Sequence, residues 1–190
     1  DLKDKAKEFK IKTLGLCDTS NLCGAIEFSD KLSKVGTQSI IGTQINFKFE
    51  DTIGLLPLFA LDEDGYKKII RLSSKSYLDN DKVSDPHLNI NDLLKIDSSG
   101  ISIFSGTVLG LFGKLFDKGK FSEINNLYES LNKIFSDRFY LEIQRHNDHN
   151  EKSFEQFNLD QSNNFKIPII ATNEVFYLTK DMHEAHDALI

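Results

Sequence analysis

The chain has 190 residues, is 39% hydrophobic and 27% charged, and carries a net charge of -6. That is enough for one domain with a substantial core, and no run approaches the roughly 18 to 20 apolar residues of a membrane span. Acidic residues are spread along the chain and no basic face is visible, which argues against a main DNA-binding surface, because phosphate neutralisation supplies much of the affinity for DNA.

The opening DLKDKAKEFK is charged from its first residue and resembles neither a signal peptide nor a natural start. It reads as mid-helix text, so the natural start lies elsewhere or the chain is trimmed. Leu2, Ala6 and Phe9 form one helical stripe. Lys10 to Cys17 alternates and ends at Asp18, as a strand would, and Asn21 is placed to cap a helix with Leu22, Ala25, Ile26 and Leu32 on its apolar face. Gln38 to Phe49 reads as a long strand containing a glycine, and Ile53 to Leu61 as a buried strand. Asp62 to Tyr77 places Tyr66, Ile69, Ile70 and Tyr77 at helical spacing, with acids in front and lysines behind, as the helix dipole favours.

After a break at Ser84 to Pro86 come a short helix, Ile90 to Ile96, and a strand, Gly100 to Ser105. Lys120 to Phe135 carries the clearest helical period, through Phe121, Ile124, Leu127, Tyr128, Leu131, Ile134 and Phe135. A strand at Phe139 to Gln144, a helix at Glu151 to Gln161, a strand at Ile167 to Ala171 and the beginning of a helix at Lys180 to Ile190 complete the chain. Strands alternating with helices predict an α/β fold built of βαβ units around a mostly parallel sheet, open or closed.

Several blocks, in order, resemble the PHP domain (polymerase and histidinol phosphatase) of bacterial DNA polymerase III alpha subunits. They are Leu16–Gly24 (LCDTSNLCG), Ile40–Gly42 (IIG), Asp64–Leu72 (DGYKKIIRL), Ile103–Gly106 (IFSG), Phe139–Gln144 (FYLEIQ), Pro168–Tyr177 (PIIATNEVFY) and Glu184–Leu189 (EAHDAL). The resemblance implies a PHP-type (β/α)7-like barrel, incomplete because the first strand, with its H-x-H-S motif, lies upstream of Asp1. Residues 1–190 would then be a single PHP domain fragment truncated at both ends. The polymerase palm, fingers and clamp-binding parts would lie downstream. A barrel lacking one strand exposes two edges, so the fragment is expected to dimerise or to fill the gap with its own terminus.

Active members of this family hold up to three metal ions at the C-terminal mouth of the barrel, with imidazole and carboxylate ligands, and use them to activate water for phosphoester hydrolysis. Position by position, this chain departs from that ligand set. The D-H pair becomes Asp18 and Thr19. The glutamate after I-I-G falls on Gln44, the next strand's histidine on Leu55, and the thiol after S-G on Thr107. The final D-x-H becomes Glu174 and Phe176. Asp18, His146 and Glu174 remain as ligand types, too few for a hard ion that wants about six ligands or a zinc that wants four. The resemblance therefore implies no catalytic residue here and no metal, at most one weakly held divalent ion. Asp18 is then expected to cap the following helix, and Glu174 to accept backbone hydrogen bonds in its loop.

Other motifs carry less. His183 and His186 are three apart rather than the four of H-E-x-x-H, as on an ordinary surface helix. Gly106, Gly110 and Gly113 lack the G-K-[ST] of a phosphate loop. Cys17 and Cys23 are two thiols without metal spacing, read as reduced in a cytoplasmic protein. The functional expectation is a non-catalytic scaffold of the alpha subunit, the full-length protein being a DNA-directed DNA polymerase. Its partners would be the rest of that subunit, the proofreading exonuclease subunit and the replication holoenzyme, with DNA met only through the full-length protein and no membrane. The alternative is a metal-dependent PHP phosphoesterase or proofreading nuclease.

Overall fold

A computed structural model describes residues 1–80 and 85–188. The elements are α1 (Leu2–Glu8), β1 (Thr13–Thr19), α2 (Ala25–Ser33), β2 (Gln38–Phe49), β3 (Thr52–Ala60), α3 (Glu63–Leu78), β4 (Leu88–Asn89), α4 (Ile90–Leu94), β5 (Ile101–Phe104), α5 (Leu111–Asp117), α6 (Phe121–Phe135), β6 (Phe139–Ile143), α7 (Glu151–Phe165), β7 (Ile169–Ala171) and α8 (His183–Asp187).

The strands form one curled sheet in the order β1-β2-β3-β5-β6-β7, with β4 added beside the far end of β2. The expectation of a mostly parallel sheet needs correction at its centre, because β3 runs antiparallel to both β2 and β5. Only Glu50 and Asp51 separate β2 from β3, and so short a link cannot make the crossover that parallel strands require. Glu50 takes the left-handed backbone conformation there, with φ 52°. Three lysines clasp the turn: Lys120 pairs with Glu50, Lys118 donates to Thr52 Oγ1 at 2.7 Å, and Lys114 donates to the Ile53 carbonyl at 2.9 Å.

The core lies between the outer face of the sheet and the helices. Phe47, Leu58, Ile103, Phe139 and Leu141 of the strands meet Ile69 of α3, Phe112 of α5, and Ile124, Tyr128 and Leu131 of α6. The α6 periodicity holds, with Phe121 left half exposed at the helix start. On α3 the buried stripe is Gly65, Ile69, Leu72 and Ser76, whereas Ile70 and Tyr77 face outward. Asp62 caps this helix by accepting from Gly65 N at 2.7 Å. Gly65 is required: a Cβ there would overlap the Gly100 carbonyl, which in turn accepts from Leu61 N at 2.8 Å. The helix start is thereby pressed onto the turn leading into β5.

Three local expectations differ. α2 begins at Ala25, after an Asn21 turn in which Asn21 Oδ1 accepts from Cys23 N; Asn21 caps the turn and not the helix, and Ile26 is 80% exposed. α5 has no counterpart among the expected elements, yet its Leu111, Phe112 and Leu115 are fully buried. α7 runs on to Phe165, four residues past Gln161. Ser84 of the expected break and Leu189 and Ile190 of the last expected helix lie outside the described residues.

Candidate functional site at the strand ends

Strand register decides which side chains share the inner face of the curl. Cys17 pairs with Gly42, and Thr19 with Gln44, which in turn faces Pro57 of β3. Phe59, Phe104 and Tyr140 line the same face deeper in, the first two with ring centroids 4.6 Å apart and the last two 5.6 Å apart. Gly15 and Gly42 make room for Phe59: a Cβ on Gly42 would come within 2.5 Å of its ring and of the Leu58 carbonyl.

Thr19, Gln44 and Leu55 lie at one end of this sheet, with Leu55 opposite Asn46, two residues beyond Gln44. Thr107 joins them, since the glycines on either side of it, Gly106 and Gly110, crowd the Leu55 carbonyl. Thr19, Gln44 and Leu55 are therefore brought to neighbouring strand ends, with Thr107 in the loop beside Leu55, and the four carry two hydroxyls, an amide and an isobutyl group. Phe176 is elsewhere: it is 66% exposed and its ring lies 5.4 Å from that of His186 on α8. The His183–His186 pair serves as the surface helix expected, with Tyr177 against both rings.

The three ligand-type survivors do not assemble. Asp18 lies one residue from the inward-facing Cys17, so alternation turns it to the other side, where its Oδ2 is 3.1 Å from the position of a Cβ on Gly24. It does not cap α2, whose first turn has no side-chain cap. His146 is exposed, and its backbone N–H, with that of Asn147, is held by the buried Glu151 carboxylate at 2.7 and 2.9 Å. Glu174 is exposed and has no hydrogen-bond partner among the described residues. Among the described residues no three His, Cys, Asp or Glu side chains converge as metal ligands would. The donor set at the mouth is thus a poor fit for the polynuclear metal centre of active family members.

The site residue that sequence reasoning passed over is Glu142, inside FYLEIQ. It is 5% exposed and points inward, opposite to Phe139 and Leu141. Oε1 accepts from Thr172 and from Gln144, and Gln144 also donates to Thr172 at 2.8 Å, tying β6 to the residue after β7. Oε2 is buried without a hydrogen-bond partner. Burial first, and the charge of Glu174 among the weaker causes, pushes the Glu142 carboxyl above its ordinary range. The Cys17 thiol is pushed far up by burial, then by Glu142, Asp18 and Glu174. A charged residue in the middle of an otherwise apolar strand was the available signal.

The strongly curled, open α/β sheet is consistent with an incomplete PHP barrel, and the PHP domain family model matches residues 1–146. The chain belongs to the PHP domain family. Its relatives include the DNA polymerase III subunit alpha of Rickettsia bellii, 34% identical over 97% of this chain and 16% of that protein. Those of Caulobacter vibrioides and Vibrio cholerae are each 31% identical, over 97% and 98% of this chain and 17% and 16% of theirs. The chain thus spans about one sixth of the length of these relatives. A solved structure from Bifidobacterium adolescentis, described as a candidate metal-dependent phosphoesterase, shares the fold with a TM-score of 0.54 at 12% identity, covering 90% of this chain and 79% of its own.

Proposed function

We propose that this chain is the PHP segment of a replicative DNA polymerase III alpha subunit, and that it works as a metal-free scaffold rather than as a hydrolase. On this reading the full-length protein is a cytoplasmic DNA-directed DNA polymerase, and residues 1–190 form one domain of it. The observation that carries the reading is the set of strand ends itself: Thr19, Gln44 and Leu55, with Thr107 in the adjoining loop, occupy the positions where imidazoles and carboxylates would be needed. A site that must bind several cations needs charge-neutralising oxygens and nitrogens around them, and leucine offers none. The identity to alpha subunits along nearly the whole chain supports the replicative setting.

A PHP fold relieved of catalysis is free to serve as a packing and docking surface. The partners we assign are the rest of the alpha subunit, the separate proofreading exonuclease subunit and, through them, the replication holoenzyme. Isothermal titration of the C-terminal segment of that exonuclease into this chain tests the docking role. Saturable heat is the expected result, and no heat at high micromolar concentration would refute docking here. Elemental analysis after purification with manganese and zinc tests the other half: we expect well under one ion per chain and no hydrolysis of a chromogenic phosphoester.

A further inference from the structure

Asp64–Gly65 is the one place where any of the chain's 11 glycines follows an aspartate or an asparagine. An Asp–Gly pair is prone to intramolecular rearrangement, because glycine has no Cβ to hinder its own amide nitrogen from reaching the preceding side-chain carbonyl. The fold accounts for both halves of the pair. Gly65 is fixed by packing, since a Cβ on it would overlap the Gly100 carbonyl. Asp64 is an acid in the first turn of α3, where the helix dipole favours negative charge.

The Asp64 carboxyl is loosely held: its side chain is 84% exposed, and Lys67 lies 3.9 Å from it while pairing with Glu63 at 2.7 Å. The Gly65 nitrogen is the guarded partner. As the third residue of α3 it belongs to the first turn, whose N–H groups have no carbonyl of their own helix to bond. Its N–H donates instead to Asp62 Oδ1 at 2.7 Å. Gly100 leaves the room that this carboxylate occupies, for a Cβ there would run into it.

We propose that Asp64–Gly65 is a site of isoaspartate formation, and that the Asp62 carboxylate keeps it closed by holding the Gly65 N–H. When that bond opens, the Gly65 nitrogen gives its proton to water and bonds to Asp64 Cγ. A carboxyl oxygen leaves as water, and a five-membered succinimide results. Water then adds across one of the two carbonyl–nitrogen bonds of the ring. Cleavage at Cγ restores aspartate; cleavage at the original carbonyl carbon leaves the chain running through Cγ, as isoaspartate. One water leaves and one enters, so the product is an isomer. Its extra main-chain carbon falls between the Asp62 cap and the contact of Gly65 with Gly100, and it pushes the start of α3 off the turn into β5. Asp62 thus serves both as a helix cap and as a chemical guard, independently of the scaffold role.

The test incubates the 190-residue chain at neutral pH and body temperature. Isoaspartate is measured by enzymatic methyl transfer and located by electron-transfer fragmentation of the tryptic peptide Phe49–Lys67. The parent is expected to accumulate it at Asp64, slowly when folded and far faster in urea. Folded Asp62→Ala should form it about fivefold faster or more, the shift in local opening that loss of a cap brings. Asp62→Gly lacks the same acceptor yet largely preserves helix stability, and should also be faster than the parent; Asp62→Ser, which keeps an acceptor, should stay near the parent. Asp64→Glu should abolish the signal in that peptide. Asp62→Gly at the parent's rate, equal rates for the parent folded and in urea, or isoaspartate at Asp51 or Asp62 in place of Asp64 would each overturn the proposal. The Asp62→Gly comparison decides even if Asp62→Ala folds poorly.

Discussion

Glu142 and Gly65 show how single side chains govern this domain by opposite means. Because burial raises the Glu142 carboxyl in the folded state, the native form takes up a proton more readily than the unfolded chain does. Stability is therefore greatest below the ordinary carboxylate range and declines as pH rises from there through the raised folded value. Glu142→Gln removes that dependence. In urea denaturation it should be more stable than the parent at pH 7 to 8 by about 1–3 kcal/mol, with the difference vanishing near pH 4. A parent that is equally stable across that range would refute the assignment. Gly65 works through steric room: Gly65→Ala would drive its new methyl into the Gly100 carbonyl, and should cost about 1–3 kcal/mol in the same measurement. Gly119→Ala is the contrast, since a Cβ there meets nothing within 4 Å and only its positive φ is strained.

At the scale of elements, what was legible in the sequence is what periodicity encodes. β2 was delimited correctly at Gln38 and Phe49, and α6 to within one residue, because long alternating or three-four patterns leave little freedom. The reversal of β3 was not read, since its composition, TIGLLPLFA, is that of a strand buried on both faces whichever way it runs. α5 is a short helix to which no element was assigned from the sequence, and its Gly113 lets it lie against the Val108 backbone. At the site, the family blocks pointed to Thr19, Gln44, Leu55, Thr107 and Phe176, of which the first three lie at neighbouring strand ends and Phe176 lies elsewhere. Asp18, His146 and Glu174 came from the same blocks as the remaining ligand types, and among the described residues they do not converge as a metal site. Glu142 was missed because its role depends on a tertiary partner, Thr172, thirty residues away.

For the whole molecule, the decisive trait is a polar yet ligand-poor mouth on an incompletely closed barrel. Tertiary structure here rests on the apolar layer between sheet and helices, and the metal-free reading proposed above requires that it owe nothing to a bound ion. Extended dialysis against a strong chelator should accordingly leave the thermal midpoint within about a degree, since a ligand that is not bound cannot stabilise by mass action; a fall of several degrees would contradict the scaffold reading. No helix among the described residues is long and apolar enough to cross a membrane.

The antiparallel pairing of β2 with β3 runs from Gly42↔Phe59 to Phe49↔Thr52 and is closed by a turn of two residues, whereas β7 is held to β6 only from Leu141 to Ile143. Local unfolding should therefore begin at the latter border and reach the former last. In deuterium exchange, the amides of 44–47, 54–56 and 58 should persist longest, while those of 169–172 exchange within the earliest time points. The domain would breathe from one side, with a stationary half that anchors it and a hinged half whose short strand comes and goes.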